Sequence, residues 1–116
     1  MDAKKKYKKG LNECIKNGGV INVRVGLTKL TKSIKTTIVL SYLLDEFIKL
    51  DSLKINVPDE NIMIMTTLTS SELRAVKKKI KNYSFMKVTR EGIPASTFYE
   101  IDLDLYEAEM NKLDIQ

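Results

Sequence analysis

The sequence has no histidine and one cysteine, Cys14. Without an imidazole there is no His-containing triad and no histidine general base. One cysteine and no histidine cannot supply the ligands of a structural zinc site, and an internal disulfide is excluded. A lone thiol fits a reducing cytoplasm. No apolar run approaches the roughly twenty residues of a membrane span. The lysine-rich residues 1–9 lead into Gly10, Leu11 and Asn12, not into the apolar stretch of a signal peptide, so a cytoplasmic location is expected. Phosphate cradles of the GxxxxGK[ST] or strand–GxGxxG kind are missing. The acidic pairs fall where helix caps and solvated helix faces would put them, which leaves carboxylate-only catalysis without a site. No enzyme activity, cofactor or metal is expected.

What is present is a chain of 116 residues with an apolar fraction of 43%, enough for one domain around one core. Its charge comes in blocks. Residues 1–35 hold ten Lys and Arg against two Asp and Glu, and residues 69–92 hold seven against two. The intervening residues 36–68 hold two against five, and residues 93–116 one against six. A surface built only for solubility intersperses the two signs. Segregation points to a positive face for a polyanion and an acidic face turned elsewhere.

Residues 1–19 read as a basic arm with a short helix at most; the arm is either a solvated tail or a contact to phosphates. From residue 20 to 113 the pattern is that of one folded domain. Residues 20–25 (VINVRV) are β-branched and predict a short strand or extended segment. Residues 33–50 change to helical spacing, with Ile34, Ile38, Leu40, Leu43, Leu44, Phe47 and Ile48 on one broad face and Ser33 or Thr31 as cap. Residues 51–58 are a connection that ends at Pro58. Asp59 is placed to cap a short helix over residues 60–67, although the Ile/Met content suits a strand equally well. Thr69-Ser70-Ser71-Glu72 is a capping box. The helix it opens, to about Asn82, has one apolar stripe of Leu73, Val76 and Ile80, then Tyr83, and is otherwise mostly basic. Residues 85–90 and 97–103 alternate and are joined by a turn region over residues 90–96, marked by Gly92 and Pro94, which makes a hairpin. Asp104 is placed to cap a last helix with Leu105, Ala108 and Leu113 inward.

Helix, short helix, capped basic helix and hairpin is the order of a winged helix-turn-helix, an α+β fold that is mostly helical with a C-terminal β-hairpin wing. In that plan the third helix presents donors to base edges while its apolar stripe anchors it. Ser70, Ser71, Arg74 and Lys78 fall on its outward side. Arg74 is the candidate for a bidentate guanine contact, because its planar fork matches O6 and N7. Lys77, Lys78 and Lys81 are candidates for phosphates, which give affinity without sequence reading. Lys87, Arg90 and Gly92 are assigned to the wing tip. A lysine-rich helix alone reads as a solvated face; the basic-tipped hairpin directly after it adds the weight.

The stretch TSSELRAVKKKIKNYSFMKVTREGIPASTFYEID resembles the recognition helix and wing of replication proteins from phages and plasmids of low-GC bacteria. The shared features are Lys78-Lys79, the apolar Met86 and Val88, then Arg90, Gly92-Ile93-Pro94-Ala95 and Phe98-Tyr99. Residues 30–44 (LTKSIKTTIVLSYLL) are similar to that family's first helix, and the likeness spans roughly residues 27–103. It implies a winged-helix DNA-binding domain. Because the chain ends near the end of that domain, a helicase-loading region is not expected, and DNA binding is implied more than replication initiation. The expected function is sequence-specific binding of double-stranded DNA in replication or partition of a phage or plasmid. A transcriptional repressor and a protein-interaction module of the same fold are the alternatives. A homodimer is expected, through residues around Leu11, Ile15 and Val20 or through the last helix. The acidic residues 93–116 are a candidate surface for a protein partner.

Overall fold

In the computed structural model, which describes residues 21–115, a 3-10 turn at Val25–Leu27 leads into a one-turn helix, α1 (Thr28–Thr31). There follow α2 (Ile34–Leu50), β1 (Lys54–Asn56), α3 (Asp59–Thr66), α4 (Ser70–Lys81), β2 (Met86–Glu91), β3 (Ser96–Ile101) and α5 (Leu103–Ile115). The class is α+β, as the sequence implies: the described residues form five α-helices and one antiparallel sheet of order β1-β3-β2. The expected basic arm and Val20 lie outside the described residues. Among the described residues no helix is long and apolar enough to cross a membrane.

Of the two forms expected over residues 20–25, the strand does not form in the described part, and Arg24 keeps an extended backbone. Arg24 explains why. Its N–H donates to Ser41 Oγ (3.0 Å) and its guanidinium to the Ser41 carbonyl (3.2 Å) and Asp45 Oδ1 (2.8 Å). The segment is thereby tied to the side of α2 by polar contacts, and Val23 and Val25 face solvent.

Ser33 caps α2, its hydroxyl accepting from Thr36 N–H, which satisfies a donor that a helix start leaves free. The buried face is rotated from the expected one. Leu40, Leu43, Leu44 and Phe47 are buried, but so are Thr36, Thr37, Val39, Ser41 and Tyr42, while Ile34 and Ile48 are exposed. Two of the inward hydroxyls have partners: Thr37 Oγ1 lies 2.8 Å from Thr31 Oγ1, and Ser41 Oγ receives Arg24 N–H. Burying such groups unpaired would be costly.

The sheet closes the core from the other side. Thr97, Tyr99 and Ile101 of β3 face inward, with Ile55 of β1 and Met86 of β2 beside them in register. Tyr99 is fully buried and its hydroxyl has no hydrogen-bond partner among the described residues. β1 was expected as part of a connection; its pairing with the outer edge of β3 (Ile55 opposite Tyr99) makes it a strand.

Two helix starts differ from expectation. At α3, Pro58 holds the N-cap position and Asp59 is the first helical residue, with no side-chain cap. The helix nevertheless forms, with Asp59 and Glu60 in its positive first turn. At α5 the cap is Asp102, not Asp104: Leu105 N–H donates to Asp102 Oδ1 (3.1 Å) and Tyr106 N–H to the Asp102 carbonyl (2.9 Å). Tyr106 and Met110 therefore meet the core, not Leu105 and Ala108. Phe85 sets this register, with Tyr83 stacked on its ring and Tyr106 edge-on to it at 5.2 Å.

Candidate nucleic-acid interface

The capping box that opens α4 is complete. Glu72 N–H donates to Thr69 Oγ1 (3.2 Å) and Thr69 N–H donates to Glu72 Oε1 (3.0 Å). From that start, Leu73, Val76 and Ile80 fall at helical spacing and are buried. The rest of the helix must then face outward. Ser70, Ser71, Arg74, Lys78 and Lys81 are exposed, and together with Lys77 they line one open groove of about 600 Å³ between α3 and α4. All six α4 residues singled out in the sequence thus share one surface with Asp59 and Met63 of α3.

The cations of α4 divide into two kinds. Lys77 is not the outward phosphate ligand expected: its side chain is 16% exposed and its ammonium donates to both Asp59 oxygens (2.9 and 3.2 Å). It clamps α4 to the first turn of α3. Lys79 is likewise engaged, donating to the Thr31 carbonyl at the end of α1, where a cation complements the helix dipole. Arg74, Lys78 and Lys81 have no ion-pair partner among the described residues.

Glu72, the one carboxylate of α4, is neutralised locally. Lys35 of α2 pairs with it. That contact, followed by the Thr69 N–H bond, holds its carboxyl at about 2, well below the ordinary 4.5. A depressed carboxyl adds stability above its ordinary range and loses it as pH falls toward the folded value. The wild type is therefore expected to weaken between about pH 5 and pH 2 more steeply than Glu72→Gln. Urea midpoints of the two proteins across that window should converge at the acid end. Midpoints that stay parallel would show the Glu72 charge and its lysine partner to be energetically silent.

The hairpin lies beside this groove. Arg90 pairs with Thr97 near the tip, and its guanidinium donates to the Ala95 carbonyl across the turn (3.3 Å). Arg90, Asp59 and Glu60 line one small cleft, and Asp59 also lines the α3–α4 groove. The groove and the cleft share Asp59 as a lining residue. Gly92 has φ +91°, a backbone region that favours glycine, and Ile93 beyond it is fully exposed. Lys87 is not at the tip. It stands opposite Glu100 near the base of the hairpin, on the sheet face turned from the core, and Glu100 faces Lys54 on its other side. Lys54 in turn donates to Glu91 and lies 5.4 Å from the Phe98 ring centroid. The Glu91 contact raises the Lys54 ammonium and lowers the Glu91 carboxyl.

Comparison with protein families, curated proteins and solved structures gives no match.

What the groove can bind follows from its side chains. Two serine hydroxyls stand in the first turn of α4 and three exposed cations follow at helical spacing. Hydroxyls, a helix start and ammonium groups suit phosphate oxygens, and a guanidinium suits a planar pair of acceptors. Sequence reasoning missed Asp59 as a partner of Lys77 and Lys35 as a partner of Glu72. The second had a weak signal, since Lys35 lies in the first turn after the Ser33 cap, within the basic block of residues 1–35.

Proposed function

We propose that the protein binds double-stranded DNA in a sequence-specific way, as a winged-helix domain, in replication or partition of a mobile element. The carrying observation is the single groove lined by Ser70, Ser71, Arg74, Lys78 and Lys81, which shares Asp59 with the cleft at the Arg90 end of the hairpin. In this reading α4 is the recognition helix and α3 the helix before it. The hairpin is the wing, and β1 is the short strand that joins it to the helices. That element order and the β1-β3-β2 sheet support the assignment.

Arg74 reads a guanine edge, and Lys78, Lys81 and Arg90 meet phosphates. Lys77 holds the two helices in register and takes no phosphate. Lys87, on the far face of the sheet, takes no part in this interface. A homodimer on DNA belongs to the same proposal, because two-fold pairing extends a short site. The residues around Leu11, Ile15 and Val20 named for it lie outside those described.

The test is fluorescence anisotropy on a duplex flanking the gene and on a shuffled duplex, each across a salt series. Expected is binding to the native duplex that survives physiological salt and is lost on shuffling. Equal, steeply salt-sensitive binding to both would reduce the groove to a non-specific phosphate surface. No binding to either at low salt would sink the proposal in favour of a protein-interaction role.

A further inference from the structure

A second surface of the protein is apolar and shares no lining residue with the α3–α4 groove. Ile48, Leu53, Leu103 and Leu105 are 71%, 52%, 53% and 43% exposed. Leu53, Ile101 and Leu103 form the common wall of two adjoining depressions, of about 480 and 580 Å³. One runs from the C-terminal end of α2 to Tyr106 of α5, the other from the start of β2 to the first turn of α5. A single exposed leucine is ordinary, but a contiguous group marks a binding surface.

The rim of this surface is acidic. Asp51, Glu100, Asp102 and Asp104 line the two depressions, against Arg24 and Lys87. Arg24 is already committed to Asp45 at 2.8 Å, so the balance left for a visitor is negative. A second copy related by a two-fold axis would set this same acidic patch against itself, and like charges facing one another cost affinity. A partner with the complementary pattern meets no such cost.

We propose that this surface docks a basic amphipathic segment of another protein. Its aliphatic side chains fill the depressions beside Leu53 and Leu103, and its Lys and Arg face the carboxylates of the rim. The α3–α4 groove stays open while the segment is bound, so the protein can hold two ligands at once. This inference stands on its own geometry and does not depend on what the groove binds.

The experiment uses the 116-residue chain and two labelled synthetic helical peptides with the same leucine face, one carrying lysines and the other glutamates. At physiological salt the leucine–lysine peptide is expected to bind at least tenfold more tightly than the leucine–glutamate one. Leu53→Ser with Leu103→Ser should weaken it at least tenfold. Asp51→Asn with Asp104→Asn should weaken it severalfold and flatten its salt dependence. Both leucines are more than half exposed, so the urea midpoint of the serine variant should stay close to wild type, which keeps a binding loss interpretable. Equal binding of the two peptides, or binding undiminished in the serine variant, would overturn the proposal. So would wild-type self-association in sedimentation that the serine substitutions abolish, since the occupant would then be a second copy of the chain.

Discussion

Arg74→Ala is expected to remove about 1–3 kcal/mol of discrimination between the native and shuffled duplexes, a roughly 5- to 150-fold fall in the ratio of binding constants. The substitution leaves the fold intact, because Arg74 is exposed on α4 and has no ion-pair partner among the described residues. Arg74→Lys should not restore the ratio, since an ammonium lacks the planar fork that meets two acceptors together. Lys78→Ala and Lys81→Ala should behave differently. Each is expected to weaken both duplexes alike and to lower the slope of log K against log salt by about one. Lys77→Ala provides the internal contrast. Its ammonium already sits on Asp59 at 2.9 Å, so the salt slope should hold while the urea midpoint falls. An Arg74→Ala variant that loses both duplexes equally would show that Arg74 reads no base. A slope that responds to Lys77 and not to Lys78 would invert the assignment of the two lysines.

The groove was legible in the sequence to the extent that its signals are local. Thr69 and Glu72 stand three residues apart, and the bonds they exchange depend on nothing outside that turn. Leu73, Val76 and Ile80 then fix which side of α4 is buried, and every other side chain follows from the helical period. The hairpin was readable for the same reason, as alternation on both sides of Gly92 and Pro94. Where a partner comes from elsewhere in the chain, the reading fails. Whether Lys77 meets solvent or a carboxylate depends on how α3 lies across α4, and no spacing within α4 reveals that.

The strand β1 is an intermediate case. Leu53, Ile55 and Val57 alternate with polar residues, which is a strand signal, but the run is short and Pro58 ends it. Three residues become a strand only because β3 offers an unpaired edge. At the start of α5 the sequence points to Asp104, whereas Asp102, chemically the same cap, holds the position. Its place is set by Asp102 N–H donating to the Phe85 carbonyl (2.9 Å) and by Tyr106 reaching the Phe85 ring, contacts that come from a distant part of the chain. The distance of Lys87 from the tip, by contrast, was visible in principle. It precedes Gly92 by five positions, which leaves it well down a strand that reaches Glu91.

Leu73→Ala should carry the largest cost to stability. Leu73 is 1% exposed in the first full turn of α4, and removing such a side chain costs about 2–5 kcal/mol. A domain of this size is stable by only roughly 5–15 kcal/mol, so a large share would be lost. A fall of at least roughly 8 °C in the thermal midpoint follows. α4 is especially exposed to this change because its buried side is narrow. Leu73, Val76 and Ile80 are its three buried residues, and the remainder is polar or small. Ile93→Ala, at a fully exposed position, should by contrast shift stability by no more than about 0.5 kcal/mol. Thermal and urea unfolding of the two variants would check the pair. If Leu73→Ala proves as mild as Ile93→Ala, α4 is not held by its apolar stripe. The Lys77–Asp59 clamp and the capping box would then have to position the groove, and Lys77→Ala should become the more damaging substitution.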